Sequence, residues 1–345
     1  LQVPSETDVP MKYMGEACDF NGVDILQRRE YVELSVASYI DRVNKSHNWS
    51  DSKASVPPGK LSPMPDNAVS IVYKSPGPKE DTSAHRSLED SMGFSYRTLL
   101  GELMYAYVTC RCDIGYAVTT LSKFSICPNE NHYNMLRSVF FYLLRTKHWG
   151  LRYYRSRPDP YFPSGDFDNA PPPLPSDFPS FPQASSGTEL YGLVDAAYAN
   201  DLRQRRSTTG FALILNGAAI VYKSSTQTTT ALSATEAEFY AAVAAAKAVI
   251  FVRSLLTDLG FPPSGPTKLY EDNEACINIV NNDIPTPRSK HIDTRWFRVQ
   301  EWASRGDIIM HKIPGIINSS DGLTKPNGWV LHHRHARRIM GHYRD

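Results

Sequence analysis

The sequence predicts two units of different class. A mainly helical amino-terminal part is followed by an α/β part in which helices pack on a mixed sheet. Two observations set the classes: apolar residues recur at helical spacing across 96–144, whereas short runs of β type begin at 189 and alternate with helical stretches. A third sets the boundary: nine of the 25 residues at 158–182 are proline, a density that neither a helix interior nor a central strand accommodates. The expected division is therefore 1–157, a proline-rich linker at 158–187, and 188–345, and a length of 345 residues is ample for two domains.

Each element follows from local signals. Residues 51–90 are rich in Pro, Ser and Lys with few large apolar side chains, and read as a first irregular break. Helices are expected at 96–109 and 114–124, separated by Cys110-Arg111-Cys112-Asp113. Tyr133, Leu136, Val139, Phe140, Leu143 and Leu144 mark a third, a core-facing stripe with Gly150 as stop signal. Strands are expected at 189–197, 208–215 and 218–223, the last two joined by the two-residue hairpin signal Asn216-Gly217. An alanine-rich helix at 233–259 is closed by Gly260 and Pro262. A strand at 267–271, helices at 273–281 and 290–305, a strand at 307–313 and a last helical piece from about 320 complete the order.

Composition sets outer limits. With 41% hydrophobic and 21% charged residues the chain is ordinary globular material. A net charge of +1 excludes a grossly basic nucleic-acid coat, but from Glu189 onward 18 Lys and Arg face 15 Asp and Glu, which leaves room for a basic groove. The five cysteines are scattered; Cys110 and Cys112 form a C-x-C pair without a second pair or a suitably spaced histidine, so buried thiols are expected rather than zinc. No stretch reads as the ~20 apolar residues of a membrane span, since the most apolar, 237–251, is interrupted by Lys247. The first ten residues carry Glu6 and Asp8 and no signal-peptide pattern, so the chain reads as an intracellular piece of a longer protein.

Four acids stand where a metal site could form. Asp195 lies in the first strand of the second part, Glu238 on the first turns of the long helix, Asp272 at the end of the fourth strand, and Asp321 at the start of the last helical piece. Carboxylates from such positions can converge at one sheet edge, and hard divalent cations such as Mg²⁺ take oxygen ligands. Two such ions ~4 Å apart can activate water and stabilise the leaving oxygen of an in-line phosphodiester displacement. Ser233 and Glu236 fit a capping box, which commits Glu236 to its own helix terminus; Glu238, ~200° further round the axis, can face the sheet.

At these residues the chain resembles the pol polyprotein of copia-type long-terminal-repeat retrotransposons. Val194-Asp195-Ala196-Ala197-Tyr198 and Arg205-Arg206-Ser207-Thr208-Thr209-Gly210-Phe211 are similar to the family's "DADWA…RRSTSGY". Ala231-Leu232-Ser233-Ala234-Thr235-Glu236-Ala237-Glu238-Phe239 looks like "ALSSTEAEY", and Tyr270-Glu271-Asp272-Asn273 with Ala275 like "CDNQSA". Ser289-Lys290-His291-Ile292-Asp293-Thr294-Arg295 resembles "TKHIDVR", and Asn318-Ser319-Ser320-Asp321-Gly322-Leu323-Thr324-Lys325-Pro326 resembles "NLADxLTKP". Tyr198 stands for Trp, and Ser320 for Ala. The resemblance implies a ribonuclease H-like mixed five-stranded sheet, with Asp195, Glu238, Asp272 and Asp321 as catalytic carboxylates holding two Mg²⁺ or Mn²⁺ ions.

The first part resembles the end of the same family's reverse transcriptase, a thumb- and connection-like region. Tyr96-Arg97-Thr98-Leu99-Leu100-Gly101-Glu102-Leu103-Met104-Tyr105 is similar to "YRSLVGSLMYL", and Arg111-Cys112-Asp113-Ile114 to "RPDI", with Cys112 in place of Pro. No Asp-Asp pair occurs anywhere, so the polymerase "YVDD" site is missing and polymerisation is not expected. The resemblance implies an endoribonuclease cutting the RNA strand of RNA/DNA hybrids, partnered by the missing fingers and palm, without a small-molecule cofactor or membrane. The implied location is cytoplasmic, in virus-like particles, with the nucleus as alternative. The rival reading is a nucleic-acid-binding remnant without turnover.

Basic residues supply candidate substrate contacts. Arg203, Arg205 and Arg206 can hold phosphates or solvate a loop; Lys290, His291, Arg295 and Arg298 flank a helix start beside Trp296, with His291 either a proton shuttle or a surface residue. The basic tail around His332-His333-Arg334-His335 and Arg337-Arg338 reads as a solvated helix face, with phosphate contact as the alternative.

Overall fold

A computed structural model describes residues 15–49, 62–155, 189–281 and 295–342. The proline-rich stretch, Lys290 and His291 lie outside these residues, as do the side chains of Arg295 and Trp296.

The second part is built on a five-stranded sheet: β5 (Tyr191–Ala197), β6 (Thr208–Leu215), β7 (Ala218–Thr226), β8 (Thr267–Glu271) and β9 (Ile308–Lys312), in the order β7-β6-β5-β8-β9. The first three strands pair antiparallel, and β5, β8 and β9 pair parallel. This is the ribonuclease H-like mixed sheet implied by the resemblance. The β6–β7 hairpin closes through Asn216 and Gly217, with φ of 51° and 96°, the two left-handed residues its tight turn requires.

Alternation along the strands divides the side chains between two cores. Val194, Phe211, Leu213 and Leu269 face α7 (Ala234–Asp258), α8 (Glu274–Asn281) and α9 (Arg295–Ser304). α7 is, among the described residues, the helix long and apolar enough to cross a membrane by length and composition, contrary to the sequence reading. Here its alanine-rich side, Ala237, Ala241, Ala242, Ala245 and Ala246, is buried in this core, and small side chains let a helix lie close on a sheet.

Tyr191, Leu193, Ala212, Ile214 and Ala219 face the other way, into a core shared with the first part. That part contains α1 (Ala37–Ser46), α2 (Ala68–Val72), α3 (Ser83–Met92), α4 (Tyr96–Thr109), α5 (Gly115–Ser122) and α6 (Glu130–Arg145). It also carries an antiparallel sheet absent from the sequence reading: β1 (Asp19–Phe20), β2 (Val23–Gln27), β3 (Tyr31–Ser35) and β4 (Leu151–Tyr154), the last strand arriving from 116 residues downstream of β3's end. Residues 62–90 likewise hold α2 and most of α3, so the expected irregular break ends earlier than its composition suggests.

Polar contacts tie the parts together. Tyr222 Oη donates to the Tyr107 carbonyl, Tyr107 Oη accepts from the Ser224 N–H, and Tyr153 Oη donates to the Ala219 carbonyl at 2.7 Å. A buried charge network lies beneath α10 (Trp329–Met340). Arg111 holds Asp113 through two hydrogen bonds of 2.9 and 2.6 Å, Tyr142 donates to the same carboxylate, and His332 bonds Tyr142 Oη at 3.0 Å. Burial pushes the Asp113 pKa up, but the Arg111 charge together with the hydrogen bonds from Arg111 and Tyr142 outweighs it, and the pKa is lowered. The tail is therefore no solvated face: His332, His333, His335 and Arg337 are buried between the two parts. Residues read as charged in sequence pack here because the surrounding surfaces come from segments distant in the chain.

Candidate active site

Three of the four predicted acids converge. Carboxylate oxygens of Asp195 in β5, Glu238 in α7 and Asp272 just after β8 lie within 4.8 Å of one another. β5 and β8 run parallel, so the end of β8 delivers Asp272 to the edge where β5 carries Asp195. Ser233 caps α7, its side chain accepting from the Glu236 N–H at 3.1 Å. The Glu236 carboxylate accepts from the Leu232 N–H and from Tyr240 Oη, which keeps it at the helix entrance. Glu238 is turned inward and buried.

Asp321 flanks the trio on a 3₁₀ turn, Ser319–Leu323, and forms an ion pair with Lys325. Asn318 fixes this turn to the sheet by donating to the Val194 carbonyl at 2.6 Å, next to Asp195. Thr324 Oγ1 donates to Asp195 Oδ2. Gly210, opposite Asp195 in β6, permits the close approach: a Cβ there would stand 2.5 Å from the Thr324 methyl. Gly315 does the same for Asp272, whose Oδ2 would meet a Cβ at 2.6 Å.

Crowding of acids in a buried place disfavours their charged forms. Burial, then Asp321, pushes Asp195 up to about 7, against hydrogen bonding from Thr324 and the Lys325 charge. Burial, then Asp195 and Asp272, pushes Glu238 up to about 9. Glu238 Oε2 is buried without a hydrogen-bond partner. An all-carboxylate donor set with a buried, unsatisfied oxygen suits a hard divalent cation.

Several residues of the site escaped the sequence reading. Asn318, Thr324 and Lys325 lay inside a quoted motif but had no assigned role. Glu271, the last residue of β8, is a further acid, fully buried. The signal for it was available: in β8, Thr267 and Leu269 are the other inward residues, so Glu271 occupies a position where alternation calls for an apolar side chain.

Over 317 residues the chain is 28% identical to the retrovirus-related Pol polyprotein from transposon TNT 1-94 of Nicotiana tabacum, covering 91% of this chain. It is 27% identical over 244 residues to the corresponding polyprotein from transposon RE2 of Arabidopsis thaliana, covering 71% of this chain. Over most of its length the chain is similar to the retrovirus-related Pol polyproteins of plant transposons, consistent with a copia-type pol fragment. It spans 21% and 15% of the length of those two relatives. The chain is also 33% identical over 147 residues to Secreted RxLR effector protein 161 of Plasmopara viticola, covering 42% of this chain and 82% of that protein. No protein-family model matches it. Similar solved structures include an RNase H1 isolated from compost by a metagenomic approach (14% identity, 40% of this chain and 93% of that one, TM-score 0.31). Another is RNase H1 of Halobacterium salinarum NRC-1 (18% identity, 39% and 94%, TM-score 0.28).

The basic residues of the chain occupy different settings. Arg203 lies over the Phe124 ring at 4.5 Å, and its loop is anchored by Asp201, which accepts from the Arg203 and Gln204 N–H groups and pairs with Lys123 at 3.1 Å. Arg205 is exposed and left-handed, with φ of 54°. The backbone carbonyl of Arg206 accepts from the Asp201 N–H. Arg298 pairs with Glu301 and lies over Trp302 on its own helix. The structure thus brings the loop of Arg203, Arg205 and Arg206 against the helical part.

Proposed function

We propose that this chain is a piece of a copia-type Pol polyprotein and a ribonuclease H that hydrolyses the RNA strand of RNA/DNA hybrids, with Asp195, Glu238, Asp272 and Asp321 as the catalytic carboxylates. The observation that carries the reading is the convergence of Asp195, Glu238 and Asp272 at one end of two parallel strands, with Asp321 at its flank. These four would hold two Mg²⁺ or Mn²⁺ ions, which when bound supply activation of the attacking water and stabilisation of the leaving oxygen. Thr324 orients Asp195, and Asn318 sets the Asp321 turn against β5. Lys325 offsets part of the carboxylate charge. Arg203, Arg205 and Arg206, with Lys290, His291, Arg295 and Arg298, are the proposed contacts to the hybrid. Phosphate contacts of this kind set affinity, and the RNA 2′-hydroxyls and duplex shape set selectivity.

In this reading 188–345 is the nuclease unit, 158–187 a linker, and 1–157 a reverse-transcriptase-derived platform that works with the fingers and palm of the longer polyprotein. The test is cleavage of an end-labelled RNA/DNA hybrid, with duplex DNA as control. Cleavage should require Mg²⁺ or Mn²⁺, stop with EDTA, and fall by several orders of magnitude in Asp272→Asn while hybrid binding is retained. Hybrid binding without cleavage under any divalent ion would instead support the inactive-remnant reading. Wild-type cleavage by Asp272→Asn would place the site elsewhere.

A further inference from the structure

Glu271 is a buried acid, next in sequence to Asp272, that the proposed carboxylate set does not use. It ends β8 on the face that packs against α7 and α8, with no exposed surface. A carboxyl group in such a place is costly unless it is well bonded. One oxygen is: Glu271 Oε1 accepts the N–H of Asp272 at 3.2 Å and that of Asn273 at 3.1 Å. The Glu271 main-chain carbonyl accepts the Ile313 N–H at 2.9 Å, so the residue is held by the neighbouring strand as well. Asn273 in turn accepts from the Cys276 N–H and starts α8. The peptide groups on both sides of Asp272 are therefore clamped by one side chain. The second oxygen, Oε2, has no hydrogen-bond partner, and after burial itself the neighbouring carboxyl of Glu238 disfavours ionisation of Glu271 most strongly.

We propose that Glu271 is a positioning residue: by fixing the main chain of Asp272 it fixes where the Asp272 carboxylate stands relative to Asp195 and Glu238, without touching the ions itself. The inference rests on the metal-site reading above. It differs from a fifth-ligand role, which would need the charge of Glu271, and from a purely structural role, which would need only its volume. The amide of Gln can accept the same two N–H bonds, whereas Leu fills the space and accepts none.

The test compares the 345-residue wild type, Glu271→Gln, Glu271→Leu and Asp272→Asn by the rise in melting temperature on titration with Mn²⁺, with melting in EDTA and hybrid-cleavage kinetics alongside. Loss of an outer-shell partner typically weakens metal affinity by about 10- to 100-fold. Glu271→Leu is expected to shift the Mn²⁺ midpoint upward by about tenfold or more and to lower kcat with KM for the hybrid unchanged, without a lower melting temperature in EDTA. Glu271→Gln should stay within about threefold of wild type, since the acceptor pattern of its side chain is retained. If Glu271→Leu leaves the Mn²⁺ midpoint unchanged, the proposal fails; if Glu271→Gln is impaired as much as Glu271→Leu, charge is what matters and the positioning role is overturned. Should Glu271→Leu not fold, Glu271→Met, unbranched and nearer in length, carries the same comparison. Asp272→Asn separates the two levels: a wild-type Mn²⁺ midpoint there sinks the metal site itself, whereas an impaired Asp272→Asn beside an unaffected Glu271→Leu sinks the present inference alone.

Discussion

Replacing Glu238 by Gln should stabilise the metal-free protein while abolishing cleavage. Glu238 ionises with a pKa near 4.5 when unfolded, and burial followed by Asp195 and Asp272 pushes it up to about 9 in the fold. Between those values the folded state binds more protons than the unfolded one, so stability falls as pH rises through the window. At pH 7 the group must be protonated on folding, 2.5 units above its unfolded pKa, which at 1.36 kcal/mol per unit costs about 3 kcal/mol. Gln is neutral in both states and escapes this cost. Relaxation of the neighbouring acids makes about 3 kcal/mol an upper limit, and at pH 5 the same sum leaves under about 1 kcal/mol. Urea titrations in EDTA at pH 5 and pH 7 measure the difference directly. The wild type should gain stability from Mn²⁺ by mass action, and the variant much less. A Glu238→Gln protein no more stable than wild type at pH 7 in EDTA would refute the argument from charge crowding. Glu236→Gln is the internal control: it touches only the helix entrance, so it should cost under about 1 kcal/mol and leave cleavage intact.

Further outcomes follow from packing between the two parts. Asp113→Ala leaves the fully buried Arg111 guanidinium without its counter-charge and should cost about 3–5 kcal/mol in a chemical melt; a cost below about 1 kcal/mol would mean water reaches Arg111. A fragment of residues 188–345 bares Tyr191, Leu193, Ala212, Ile214 and Ala219 of the shared core, so it should self-associate or melt well below the full chain. Size-exclusion chromatography showing a monodisperse, equally stable fragment would contradict this. Lys123→Met unpairs Asp201 and loosens the loop of Arg203, Arg205 and Arg206, so KM for the hybrid should rise with little change in kcat. An unchanged KM would detach that loop from substrate binding.

Element class was legible where a single segment carries its own instructions. The 3.6-residue stripe of Tyr133 to Leu144, the Ser233 cap and the Asn216-Gly217 turn depend on neighbours a few residues away, and each appears where its pattern places it. The elements carrying Asp195, Glu238 and Asp272 were likewise readable from strand and helix periods, whereas Asp321, expected to open the last helix, stands on a 3₁₀ turn ahead of it. Tertiary structure alone decided what met what. β3 pairs with β4 across more than a hundred residues, and nothing local in either strand names that partner. The basic tail is buried because Tyr142 and Asp113 wait for His332 on distant segments, so composition misled about its exposure. Glu271 looked like one more acid beside Asp272 until the fold showed its carboxylate clamping the Asp272 main chain. Periodicity and capping are local and short-ranged, so sequence displays them. Burial, charge crowding and ligand geometry are sums over segments brought together only by folding.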